Sequence, residues 1–104
     1  MKTDNKRNRI LEVCCADLQS VRAAVEGGAQ RIELCQALEL DGVTPSAGMI
    51  EWAVEQGVHV HVLIRPRGGE SVYSPDEGRC MMNDVRIAHM LGPSRGVIAA
   101  LGRE

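Results

Sequence analysis

The sequence predicts an α/β fold, a series of βα units around a parallel sheet, and three observations carry that prediction. Short apolar runs at 10–15, 31–35, 58–64 and 96–101 alternate with amphipathic segments of helix length. Capping and breaking residues punctuate the segments: Asp17, Gly27-Gly28, Ser46, Gly57, Ser74-Pro75 and Gly92-Pro93. Within each run, finally, apolar and polar residues split onto opposite faces. The chain of 104 residues, 44% hydrophobic and 25% charged, fits one globular unit. Phe is absent and Trp and Tyr occur once each, so aliphatic side chains must fill a thin core.

The elements follow in order. A polar start at 1–9 is expected to be a flexible N-terminus ahead of a domain spanning 10–104. The first strand, 10–15, leads to a helix that Asp17 can cap, with Leu18, Val21 and Val25 inward and Gly27-Gly28 as its stop. The second strand is 31–35. A polar loop through Asp41-Gly42 then reaches Ser46, the cap of a helix that presents Ile50, Ala53 and Val54 and stops near Gly57. The third strand, 58–64, runs into Arg65-Pro66-Arg67-Gly68-Gly69. Ser74-Pro75-Asp76-Glu77 is the strongest helix start: Ser74 caps, Pro75 suits the first helical position, and Glu77 can return to the cap's amide. That helix should run to about Leu91 with Met81, Val85 and Ala88 inward, weakened by Gly78. A fourth strand at 96–101 completes three βα units and a strand.

Composition and charge exclude several function classes. With 12 Lys+Arg against 14 Asp+Glu and a net charge of −2, the chain lacks the basic excess of nucleic-acid or anionic-membrane binders. No window approaches the ~20 apolar residues of a membrane span, and the start is no signal peptide. We therefore expect a cytoplasmic location and reduced thiols at Cys14, Cys15, Cys35 and Cys80, whose spacing matches neither a CxxC zinc pattern nor a disulfide framework.

Strand alternation selects the candidate residues. Leu11, Val13, Cys15, Ile32, Leu34, Val58, Val60, Val62 and Ile64 fall on packing faces. Glu12, Cys14, Arg31, Glu33, Cys35, His59, His61, Leu63 and Arg65 fall on the other face. The Glu-x-Cys pattern of the first strand recurs in the second, and on neighbouring strands the two pairs are expected to stand side by side. Cys14 and Cys35 then suit a soft metal ion, thiolates being selective for copper(I); the plain alternative is a pair of small buried hydrophobes. Cys15 and Cys80 are expected on packing faces. Glu12, Glu33, His61, Arg65 and Arg67 could form a small-molecule site in which arginines clamp an anion and Glu or His moves protons. They could equally form a structural ion-pair lattice. Open edge strands would invite self-association.

Several segments together resemble the CutC copper-homeostasis family: Leu11-Glu12-Val13-Cys14, Gly28-Ala29-Gln30-Arg31-Ile32-Glu33-Leu34-Cys35, Gly42-Val43-Thr44-Pro45-Ser46 and His61-Val62-Leu63-Ile64-Arg65-Pro66-Arg67-Gly68-Gly69. Tyr73-Ser74 and Asp84-Val85-Arg86 continue the likeness, which covers about 11–101. The resemblance implies a cytoplasmic (β/α)8 barrel of the TIM type, of which a chain this short holds the first half, β1-α1-β2-α2-β3-α3-β4, since a whole barrel needs roughly 250 residues. It also implies copper binding, homo-oligomers, and Cys14 and Cys35 as copper(I) ligands. The rival readings are a (β/α)-barrel enzyme acting on a small anion through the Glu/His/Arg pocket, and an inactive fragment of either.

Overall fold

The computed structural model describes residues 10–92 and 98–101. The expected flexible start at 1–9, the Pro93-Ser94-Arg95 connection and the first two residues of the expected fourth strand lie outside the described residues. The elements run β1 (Glu12–Cys15), α1 (Leu18–Glu26), β2 (Arg31–Leu34), α2 (Ala47–Glu55), β3 (His59–Ile64), α3 (Pro75–Leu91) and β4 (Ile98–Leu101). The four strands form one sheet in the order β1-β2-β3-β4, all parallel. This is the first half of a (β/α)8 barrel.

Burial follows the alternation of the strands. Cys15, Ile32, Leu34, Val60, Val62 and Ile64 are fully buried on one face, where the helices cover them with Val21, Ala24, Ile50, Ala53, Val54 and Ala88. Each of the buried Val, Leu and Ile side chains contributes about 1.5–3 kcal/mol relative to leaving it in water. Two expectations about this layer need correction. Leu18, expected to pack inward, is 46% exposed; helix side chains lean toward the N-terminus, and at the first position of α1 that direction carries Leu18 past the C-terminal edge of the sheet. Cys80, expected on a packing face, is exposed, because the core-facing row of α3 is the buried Ala88 with the partly buried Met81, Val85 and Leu91, and Cys80 stands about 100° around the helix from Met81.

Caps form where the sequence places them. The Ser74 hydroxyl accepts from the Glu77 N–H at 3.1 Å, and the Glu77 carboxylate accepts from the Ser74 N–H at 2.8 Å. Ser46 caps α2 by accepting from the Met49 N–H at 3.1 Å. Asp17 caps α1 with Ser20 as the reciprocal partner, and these hydrogen bonds hold the Asp17 carboxyl below its usual range. The loop between β2 and α2 holds a 3₁₀ turn, Leu38–Leu40, flanked by Ala37 and Asp41 at φ of 57° and 66°. Its ends close through a bridge between Gln36 and Val43.

Candidate functional site

The second face of the sheet is polar, and its register arranges it in rows. Glu12 stands opposite Arg31, and Arg31 opposite His59; one level toward the C-terminal ends, Cys14 stands opposite Glu33, and Glu33 opposite His61. The two Glu-x-Cys pairs are therefore staggered by two residues instead of standing side by side, the offset between neighbouring strands that barrel shear demands. The stagger has an electrostatic consequence. Level pairing would have set Glu12 against Glu33, whereas Glu12 here receives Arg31 Nη2 at 3.1 Å and lies 3.8 Å from His61 Nδ1. Arg31 Nε is buried without a partner. Arg31 falls on the polar face by alternation, but its pairing with Glu12 follows only from the register.

The same stagger sets Cys14 and Cys35 on a diagonal across β1 and β2. Cys14 is exposed and Cys35 is 2% exposed. The Cys35 N–H donates to the Cys15 carbonyl at 3.0 Å, extending the ladder one step beyond β2. Burial, then the neighbouring Cys14, then Glu33 push the Cys35 thiol up to about 12; Cys14 acts both through charge and through a hydrogen bond between the two side chains. Gly42 closes the other side: a methyl group on it would lie 3.4 Å from Cys35 Sγ and 3.1 Å from Leu63 Cδ2. Cys15 faces the helices, where burial raises its thiol as well. Among the described residues no cluster of three or more His, Cys, Asp or Glu side chains is arranged to hold a metal ion.

The two loop arginines stand apart from this row and are engaged by the chain itself. Arg65 is 8% exposed; its Nη1 donates to the carbonyls of Leu40 and Gly42, the latter at 2.8 Å, and its Nη2 to that of Gly69 at 2.9 Å. Arg67 forks onto Glu77 at 2.6 and 3.2 Å, donates to the carbonyls of Gly68, Glu70 and Val72, and lies 5.0 Å from the Tyr73 ring. The Arg67 hydrogen bond raises the guanidinium and lowers the Glu77 carboxyl relative to their ordinary values. An anion clamped here would have to displace these carbonyls. Both arginines also line an open cleft of about 530 Å³ between the start of α2 and α3, with Thr44, Ser46, Cys80 and Asp84 among its walls. Burial raises the Asp84 carboxyl there. The cleft brackets residues from three separate segments, a grouping no single motif announces.

The model of the CutC family matches residues 9–104. The chain belongs to the CutC family. It is 48% identical over 91 residues to a CutC family protein of Agrobacterium fabrum, covering 88% of this chain and 36% of that relative. A CutC family protein of Bacteroides fragilis is 43% identical over 97 residues, covering 91% of this chain and 39% of the relative. The chain thus spans under two-fifths of the length of these relatives. Among solved structures it is similar to the putative copper homeostasis protein CutC from Streptococcus agalactiae, with a TM-score of 0.73 and 37% identity over 86% of this chain and 44% of that one. No helix among the described residues is long and apolar enough to cross a membrane.

Proposed function

We propose that this chain is a cytoplasmic copper-homeostasis protein that binds copper(I) between β1 and β2 through Cys14 and Cys35. The observation that carries this reading is the contact between an exposed thiol and a buried one across neighbouring strands. Two residues of offset between parallel neighbours set their Cα atoms roughly 8 Å apart, beyond the span of an unstrained disulfide. Two metal–sulfur bonds bridge the sulfurs with less distortion. Thiolates favour copper(I) over harder ions, and a reducing cytoplasm keeps both ligands available. Because Cys35 holds its proton until about 12, ligation must expel that proton, so binding tightens as pH rises. The outer strands β1 and β4 offer ladder edges to a second copy of the chain, a self-association that the mass in solution tests.

A copper(I) competition titration under reducing, anaerobic conditions decides the matter. Cys14→Ser/Cys35→Ser should lose tight one-equivalent binding, and Cys15→Ser/Cys80→Ser should keep it. Equal weak binding by all three proteins would overturn the proposal.

A second reading rests on Glu12, which the fold brings between Arg31 and His61. In it, Glu12, Glu33, His61, Arg65 and Arg67 serve a (β/α)-barrel enzyme acting on a small anion, with Glu12 and His61 exchanging a proton. Calorimetry with inorganic phosphate tests it: saturable heat that Arg67→Met abolishes supports the enzyme, and no heat with any variant leaves it without a substrate site.

A further inference from the structure

The buried Arg65 joins two loops, one of which places Gly42 beside the Cys35 thiol. Its guanidinium ties Leu40 and Gly42, in the loop after β2, to Gly69, in the loop after β3. The Arg65 backbone adds to the tie: its N–H donates to Thr44 Oγ1 at 2.7 Å, and its carbonyl accepts from the Thr44 N–H at 2.9 Å. Gly42, held by that guanidinium at φ +91°, is the residue whose Cα faces Cys35 Sγ. Without the fork, three carbonyls lose their donor. The loop would keep its internal backbone bonds, Gly42 N–H to the Ala37 carbonyl at 3.1 Å among them, the Gln36–Val43 bridge and the Thr44 contacts, but it would lose its tie to the loop after β3, and loops of this kind open locally at small free-energy cost.

We propose that Arg65 is a positioning residue: by strapping the two loops together it presses Gly42 against the Cys35 thiol, so that a soft ion reaches Cys35 only by way of Cys14. The proposal rests on the copper(I) reading for its ion and deepens it with an order of events. The exposed Cys14 thiol meets the ion first, releasing its proton to solvent as the first metal–sulfur bond forms. Cys35 then loses its proton to solvent and forms the second metal–sulfur bond, with the loop closed above it. The order needs no oxidant or reductant, since the ion keeps its charge and only protons are exchanged.

The test uses the whole chain without metal. Cys14 and Cys35 are alkylated with iodoacetamide and their rates are separated by peptide mass mapping, with folding checked by circular dichroism. In Arg65→Met the Cys35 rate should rise about tenfold or more, the scale of losing hydrogen bonds to a charged group, while the Cys14 rate stays within about twofold. Arg65→Lys, which keeps the charge but not the planar fork, should fall between. Should Arg65→Met fail to fold, Arg65→Lys carries the same comparison. Ser74→Ala, which weakens the distant cap of α3, controls for general loosening and should leave both rates as they are. An unchanged Cys35 rate in the arginine variants, or an equal rise in Ser74→Ala, overturns the strap. A wild-type chain that binds no copper(I) overturns the thiolate reading instead, and the alkylation ratios read the strap independently of it.

Discussion

Replacing Gly78 by Ala should make this protein more stable, and the size of the gain can be worked from its surroundings. Gly78 is the fourth residue of α3, and its N–H already donates to the Ser74 carbonyl at 2.9 Å. A methyl group built there meets nothing within 4 Å, and Gly78 is not among the glycines at positive φ. Nothing offsets the propensity difference, which is about 0.8–1.0 kcal/mol in favour of Ala inside a helix. For a domain of this size about 1 kcal/mol moves the melting temperature by about 4–8 °C. Thermal unfolding followed by circular dichroism gives the answer, provided both melts are reversible and two-state. Gly42→Ala is the control of opposite sign: φ is +91° and the new methyl would sit 3.1 Å from Leu63 Cδ2, so the variant should lose about 1–2 kcal/mol from backbone strain alone. An unchanged or lower melting temperature in Gly78→Ala refutes the reasoning, for it means that something packs against the bare helix backbone.

Two further outcomes follow from the same structure. Ile64, fully buried at the end of β3, should cost about 2–5 kcal/mol when cut to Ala, a large share of the total for a small domain; a urea transition whose midpoint barely moves would show that the helical layer does not hold. Stability should also fall in alkaline solution. The folded Cys35 thiol titrates near 12 against an ordinary value of 9.0, so between those values the unfolded chain holds fewer protons and gains at the expense of the fold. Below about 9 both states are protonated and this dependence vanishes, and Cys35→Val should reduce the alkaline slope in denaturant melts, leaving the part that the buried Cys15 thiol contributes in the same direction.

The layered face of the sheet was readable from sequence because alternation needs only a period of two. Val58, Val60, Val62 and Ile64 could point one way and His59 and His61 the other before any neighbour was known, and the burial agrees. Ser74-Pro75-Asp76-Glu77 was equally plain, since every bond of a capping box lies within four residues. The register was not. Whether Glu12 faces Glu33 or Arg31 depends on how far β1 slides past β2, and that is fixed by curvature of the whole sheet and by no local residue. The roles of Arg65 and Gly42 stayed hidden for a related reason. A guanidinium that bonds three carbonyls from two loops is indistinguishable in sequence from one that waits for an anion, and a glycine at positive φ against a thiol is one turn glycine among several. The 3₁₀ turn at Leu38–Leu40 rests on left-handed Ala37 and Asp41, and alanine gives no hint of that conformation.

The stagger that separates Glu12 from Glu33 also sets Glu33 directly across from Cys14, and this leads to an unexpected sign for the proposed metal site. A carboxylate near a cation is usually read as attraction. Here, however, the empty site is two thiols, neutral once Cys35 is protonated, and the filled site is one copper(I) with two thiolates, a net charge of −1. Glu33 therefore repels the filled state, just as it helps to raise the empty Cys35 thiol. For unit charges about 7 Å apart in an effective dielectric between about 20 and 80, the repulsion is about 0.6–2.4 kcal/mol. Glu33→Gln should accordingly tighten copper(I) binding by about threefold or more and shift the alkylation profile of Cys35 to lower pH. Weaker binding in Glu33→Gln would mean that the carboxylate itself touches the ion, and the two-thiol site would have to be redrawn with Glu33 as a third ligand.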